Sequence, residues 1–280
     1  MKLFPMMLSA LALTCGLASA QTLDRIKDTG VLTLGFRVDA PPLSYQRPGG
    51  EPAGYSPLVC AEVAQEILNH LKLESGLDVR FVPVDTANRF EKVAAGEIDL
   101  LCGAATITLE RRKTVDFSIP TFVDGTSILV RSDGPDQFAA YAGKKMGVRS
   151  NTTTKEALTN TLNQAGMQAE VMSFESHLDG IKALESGGID AYFADQSILA
   201  SLHRTSPNAL NLKMSNEILT IEKHGLAMAR GDSEFRLLVD TALSKMYGRG
   251  SMQRAFQEIM PGVQPGLGLR AMYVIAPTLD

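Results

Sequence analysis

The sequence predicts an α/β protein built as two lobes. Three observations carry this. Strand-like and helix-like segments alternate, and the alternation runs through twice. The two runs also match in one place, where Ala95-Gly96-Glu97-Ile98-Asp99 lies 91 positions before Ser186-Gly187-Gly188-Ile189-Asp190. The chain has 280 residues, long enough for two compact lobes with separate cores.

The first run opens with Val31–Arg37, a short apolar strand. Pro57–Leu73 reads as a helix, because Val59, Val63, Ile67 and Leu71 fall on one stripe with Cys60 beside it. Asp78–Val82 is a strand, Ala87–Ala95 a helix ended by Gly96, and Ile98–Cys102 a strand. This β-α-β-α-β order forces parallel pairing with helical crossovers. The second run has a strand at Lys144–Arg149, a helix at Thr153–Gln164 and a strand at Ala169–Ser173. A helix at Leu178–Ser186 and a strand at Ile189–Phe193 complete it. Thr126–Arg131 and Gly225–Arg230 are apolar strands that fit neither run. Read as two crossings between the lobes, they make a hinge. Helices follow at Ser233–Tyr247 and Ser251–Ile259, and the tail from Pro261 to Asp280 carries no assigned role. Ligands of open α/β sheets sit beyond the carboxyl ends of the strands, so the two sets of ends should face each other across a cleft.

The first twenty residues are a separate segment. Lys2, an apolar run from Met6 to Leu17 and the exit Ala18-Ser19-Ala20 make a secretory signal peptide, cut after Ala20. The run is too short to span a bilayer, which takes about 20 helical residues. Cys15 follows Thr14 rather than a small residue, which argues for a soluble exported product over a lipid-anchored one. Loss of Lys2 leaves 26 basic side chains from 27 against 31 acidic ones, a net charge of −5. That acidity argues against binding nucleic acid or an anionic membrane. A hydrophobic content of 45% with 21% charged residues indicates a folded globular chain. Cys60 and Cys102 remain after export. In an oxidising compartment they are expected to pair, two buried free thiols being the alternative. Neither has a His or second Cys at metal spacing, so zinc is not expected.

Several stretches resemble the periplasmic amino-acid-binding proteins of ABC importers (solute-binding protein family 3). They are Leu23-Asp24-Arg25-Ile26-Lys27-Asp28-Thr29-Gly30-Val31-Leu32, Gly54-Tyr55-Ser56, Thr108-Leu109-Glu110-Arg111-Arg112, Val115-Asp116-Phe117-Ser118 and Ala183-Leu184-Glu185-Ser186-Gly187. Ala87-Asn88-Arg89 and the two cysteine positions are similar to the glutamate/aspartate-binding branch. The resemblance implies a type II periplasmic-binding-protein fold with two hinge-crossing strands and a ligand cleft between lobes. The division that follows is a signal peptide at 1–20, a first lobe from 21–127 and 226–280, and a second lobe at 128–225.

A free amino acid is a zwitterion, so its site needs a fixed cation and a fixed anion. By resemblance, Arg111 clamps the α-carboxylate as a bidentate fork, with the Thr106 hydroxyl beside it. A lone Arg here would otherwise read as a surface residue. Asp195, 91 residues after Ala104, takes the ammonium by resemblance; its plainer role is to cap a helix over Gln196–His203. Ser150-Asn151-Thr152-Thr153-Thr154 opens a helix whose first N–H groups can bind an anion. Asn151 replaces the family's usual Gly and tolerates a left-handed backbone, and capping by Thr152 or Thr153 is the alternative role. Arg37 and Arg89, at two strand exits of one lobe, are the residues that resemblance places against an acidic side chain. Thr86 and His177 hold equivalent positions in the repeat and should both look into the cleft. Two departures stand out. Ala104 replaces a hydroxyl residue of the family, and Arg149 replaces a smaller polar one. If Arg149 points inward, Arg37, Arg89, Arg111 and Arg149 face Asp195 alone. That excess of +3 would suit a ligand more highly charged than glutamate, unless Arg149 folds onto Glu175 or Asp195.

These expectations add up to a periplasmic, monomeric receptor without cofactor that captures an acidic amino acid or related carboxylate and delivers it to an ABC permease. Two rivals share the scaffold: an exported dehydratase of cyclohexadienyl acids, with Asp195 or Glu175 as general acid, and a receptor read by a sensor kinase.

Overall fold

The computed structural model describes residues 22–278; the expected signal peptide and its cleavage site lie outside them. Two five-stranded sheets organise the chain. In the first, Asp78–Val84, Val31–Arg37 and Leu100–Cys102 run parallel, and Ala227–Ala229 and then Val115–Phe117 add on antiparallel. In the second, Glu170–Phe174, Lys145–Arg149 and Ala191–Asp195 run parallel, and Thr126–Arg131 and Leu212–Ile218 add on antiparallel. Each sheet thus places the first strand of its repeat between the second and the third.

The matched Ile-Asp pairs do the same work in both lobes. Asp99 Oδ2 accepts the Thr33 N–H at 2.8 Å and Asp99 N–H reaches the Thr33 carbonyl at 2.8 Å. Asp190 Oδ2 accepts the Lys145 N–H at 3.0 Å and returns its own N–H to Lys145 at 2.8 Å. Each carboxylate therefore ties the loop before the third strand to the start of the first. The isoleucine in front of it packs where a glycine leaves room. A Cβ at Gly35 would fall 2.3 Å from Ile98 Cδ1, and one at Gly147 would fall 2.4 Å from Ile189 Cδ1.

The hinge differs from the sequence expectation. Thr126–Arg131 lies wholly within the second sheet and Ala227–Ala229 within the first, so neither strand is itself the crossing, and a division at 127/128 falls inside a strand. The chain crosses just before each, on Phe122–Asp124 and Glu222–His224, which pair antiparallel as a two-stranded ribbon. Three-residue strands are too short to show alternation, and the longer apolar runs beside them drew the assignment.

Cys60, on the helix Tyr55–Leu71, and Cys102, at the end of a core strand, form a disulfide with Cα atoms 6.1 Å apart. That helix starts at Tyr55, two residues before the expected Pro57, because Gly54 adopts φ 112° and its backbone lies against Pro42 and Leu43. Tyr55 and Ser56 then donate their N–H groups to the Pro42 and Leu43 carbonyls at 3.0 and 2.8 Å. The tail does have a place in the fold. Leu267–Ile275 is a helix that packs on the crossing strand Phe122–Asp124 and buries Leu269, Met272 and Tyr273.

Candidate ligand-binding cleft

The lobes meet around a small cavity of about 20 Å³, room for roughly one water. Arg89, Ala104, Thr106 and Arg111 line it from the first lobe, and Arg149, Thr152, Thr153, His177 and Asp195 from the second. Thr154, Ala194 and Ile198 complete the wall. Arg37 and Thr86, both anticipated in the cleft, are buried but do not line this cavity.

Arg89 begins the helix Arg89–Ala94 and is only 2% exposed. Its Nε and Nη1 are buried without a hydrogen-bond partner, and Nη2 reaches the Asn151 carbonyl of the other lobe at 3.5 Å. Burial, reinforced by Arg37 and Arg111, pushes its pKa well down. Arg111 donates from Nη1 to the Thr106 carbonyl at 2.8 Å. Both guanidiniums lie over the Phe90 ring, at 4.9 and 5.0 Å, and its π-face partly offsets their repulsion. Across the cleft the helix Thr153–Ala165 presents its N-terminus. Asn151 takes the left-handed backbone with φ 55°. Thr152 caps the helix, accepting the Lys155 N–H, while it also lines the cavity. Two guanidiniums and a helix N-terminus form a pole for an anion.

Asp195 forms the opposite pole. It stands at the N-terminus of the helix Gln196–Thr205 but makes no capping hydrogen bond, so the plain capping role fails. That role passes to Asp124 on the crossing strand, which receives the Ser197 hydroxyl and the Ser197 N–H at 3.3 Å. The Asp195 carboxylate is left near His224 Nε2, at 3.4 Å. Burial raises the pKa of Asp195 and lowers that of His224. An ammonium group placed against Asp195 would favour its ionised form.

Thr106 does not offer its hydroxyl to the cavity. It donates to Glu222 Oε2 at 2.6 Å, and Thr153 donates to the same oxygen at 2.8 Å. Thr220 and Thr126 reach Oε1 at 2.8 and 3.3 Å. Burial raises the Glu222 pKa, but these hydroxyls outweigh it and hold the group ionised. Glu222 therefore ties both lobes to the crossing ribbon.

Arg149 faces the cleft, and the excess charge expected from it does not arise. Its Nε donates to Asp39 Oδ2 at 2.9 Å, and Arg37 Nε donates to Asp39 Oδ1 at 3.0 Å. The partner is Asp39 chiefly; Glu175 stands 3.6 Å away and its side chain is 82% exposed. Asp39 lies two residues beyond Arg37, the spacing that puts two side chains on one face of an extended chain. His177 Nδ1 meets the Tyr192 hydroxyl at 3.0 Å, and burial lowers its pKa to about 3, so the ring is neutral. Arg37, Arg89, Arg111 and Arg149 are set against Asp39, Asp195 and Glu222, a net +1 instead of +3. The sequence reading missed Asp39, Phe90, Glu222 and His224.

A family model of bacterial extracellular solute-binding proteins, family 3, matches residues 32–261. The glutamate/aspartate import solute-binding protein of Escherichia coli is 29% identical over 258 residues, 89% of this chain and 85% of that protein. The L-glutamate/L-aspartate-binding protein of Pseudomonas aeruginosa is 28% identical, covering 100% of this chain and 95% of its own. Among solved structures, an ancestral amino acid-binding protein, a precursor of cyclohexadienyl dehydratase, superposes with a TM-score of 0.73 at 27% identity. That match spans 85% of this chain and 99% of the ancestral one. The cysteine-binding protein of Campylobacter jejuni shares the fold, with a TM-score of 0.75 at 23% identity over 87% and 96% of the two chains.

Proposed function

The chain belongs to the bacterial extracellular solute-binding proteins, family 3, and from that premise we propose that its cleft captures an acidic α-amino acid for delivery to an ABC permease. The observation that carries the reading is Arg89, a buried guanidinium with two unpaired nitrogens at a cavity that Arg111 also lines. A buried cation with unsatisfied donors is costly unless a ligand anion completes it. The α-carboxylate goes between Arg89, Arg111 and the N-terminus of Thr153–Ala165, and the ammonium goes to Asp195. The side chain extends toward Arg149 and His177. A surrounding charge of +1 is neutralised by a ligand of net −1, which glutamate and aspartate carry and glutamine does not. The names of the Escherichia coli and Pseudomonas aeruginosa relatives agree with this choice.

The cavity is too small for an amino acid, so capture requires the lobes to part and close again. In this reading the first lobe carries the sheet built on Val31–Arg37 and the second the sheet built on Lys145–Arg149, and the two move about the ribbon of Phe122–Asp124 and Glu222–His224. Ligand contacts from both lobes favour the closed form through differential affinity. The protein acts as a monomer in the periplasm and needs no cofactor. A thermal-shift screen of the ligand-stripped protein against amino acids and organic acids tests the proposal. Glutamate or aspartate should raise the melting temperature most. A response confined to cationic or neutral ligands would refute it.

A further inference from the structure

A second cavity, of about 630 Å³, lies apart from the cleft and shares no lining residue with it. The helix Gln196–Thr205 stands between the two. Its Ile198 lines the cleft, while Gln196, Ser197, Ala200 and Arg204 line the second cavity. The crossing ribbon divides them in the same way. His224 lies 3.4 Å from Asp195 of the cleft, and the Phe122 ring stacks on His224 at 6.2 Å. Phe256, 6.3 Å from Phe122, lines the second cavity, and Phe122, Val123 and Asp124 form its floor.

Its walls come from both lobes. Met260, Val263 and Leu267 belong to the chain after the second crossing, Ala200, Arg204 and Met214 to the chain between the crossings. Val263 and Leu267 lie beyond the segment 32–261 that the family model matches. Ile221 and Leu267 line the cavity while 83% and 77% exposed. Single exposed apolar residues are ordinary, but several around one hollow of ligand size mark a binding site. Two charged groups line it. Asp124 spends its carboxylate on the Ser197 hydroxyl and the N–H groups of Ser197 and Gly125. Arg204, in the last turn of its helix, is exposed and has no ion-pair partner among the described residues. The free charge at this apolar hollow is therefore a single cation.

We infer that this cavity binds an apolar monocarboxylate, of aryl or medium-chain alkyl type. Its body lies against Phe122, Met214 and Met260, and its carboxylate meets Arg204. The occupant also acts on the cleft, a consequence that rests on the amino-acid reading above. Rotation about the ribbon that widens the cleft draws Ala200 and Met214 toward Met260 and Leu267, and so narrows the cavity behind. A filled cavity resists that opening and tightens amino-acid binding. By linkage, the amino acid tightens the occupant by the same factor.

Methionine methyl NMR of the ligand-stripped protein tests the site, with phenylbutyrate as probe and phenylbutanol as its neutral counterpart. The Met214 and Met260 methyl signals, identified through Met214→Leu and Met260→Leu, should shift saturably with phenylbutyrate. The alcohol should bind about fivefold more weakly, and Arg204→Gln should erase that difference. Ala200→Phe, at an exposed helical position, should fill the cavity and abolish both shifts. No saturable shift at millimolar phenylbutyrate would overturn the proposal, as would equal binding of acid and alcohol to wild type. Concentration-dependent broadening of the two signals without probe would mark a protein interface and overturn it equally. For the coupling, saturating phenylbutyrate should tighten L-glutamate binding at least ~5-fold by calorimetry in wild type and leave Ala200→Phe unchanged. An unchanged wild-type constant would overturn the coupling. If no amino acid binds, the reading of the cleft fails, while the methyl shifts still decide the second site.

Discussion

Replacing Arg89 with methionine should strengthen the ligand-free protein and weaken its binding. The side chain is 2% exposed and two of its nitrogens have no partner. The third makes one long contact of 3.5 Å. Each buried unsatisfied donor costs about 1–3 kcal/mol, and the charge adds to that. Methionine has similar length, no donors and a good fit against Phe90. Substituting buried ionic groups by apolar ones of similar volume often stabilises by about 1–4 kcal/mol, and that gain is expected for Arg89→Met. Binding should lose about 2–5 kcal/mol, because the ligand carboxylate is then desolvated against fewer donors. That is a factor of about 30 to 4,000 in Kd. Urea unfolding of ligand-stripped protein gives the first quantity and calorimetric titration the second. A variant less stable than wild type that binds as tightly would refute the reasoning, since Arg89 would then be a structural residue.

Three further outcomes follow from the geometry. Alkylation without reductant should add no mass at Cys60 or Cys102, and replacing both by alanine should cost about 4 kcal/mol, the loop-entropy value for their separation of 42 residues. Burial and the facing Asp195 raise the Asp124 pKa from 3.8 to about 7. The folded state therefore binds the extra proton between about pH 4 and 7, and stability falls as pH rises through that window. Unfolding titrations of Asp124→Asn should show a flatter pH profile across that window. Gly54→Ala should destabilise by at least ~2 kcal/mol in denaturant unfolding, since its φ is 112° and a Cβ would meet the Pro42 carbonyl at 2.7 Å.

The repeat was legible because each lobe carries its own local signals. The Ile-Asp pairs, the apolar first strands and the glycines ending helices all act within about 70 residues of their partners. Of the residues assigned to the cleft by strand order or by resemblance, Ala104, Thr106, Arg111, Arg149, Thr152, Thr153, His177 and Asp195 line one cavity. What stayed hidden depends on pairing over longer distances. Glu222 and His224 reach the cleft only because their strand pairs with Phe122–Asp124, about a hundred residues earlier. Asp39 was overlooked because its partner Arg149 is 110 positions away, and without that contact it reads as a polar residue ahead of two prolines. Counting Arg149 but not Asp39 or Glu222 produced the false excess of positive charge. Thr106 reads as a ligand donor by resemblance, yet its hydroxyl is taken by Glu222 at 2.6 Å, a competition invisible in a linear string.

The central claim is that a cleft of net charge +1 selects an acidic amino acid. Calorimetric titration of L-glutamate and of L-arginine into ligand-stripped wild type at neutral pH tests it most directly. Setting a cationic side chain against Arg149 costs several kcal/mol by like-charge contact. Glutamate should bind one to one, and arginine at least ~100-fold more weakly. Arginine binding as tightly as glutamate, or more tightly, would contradict the account.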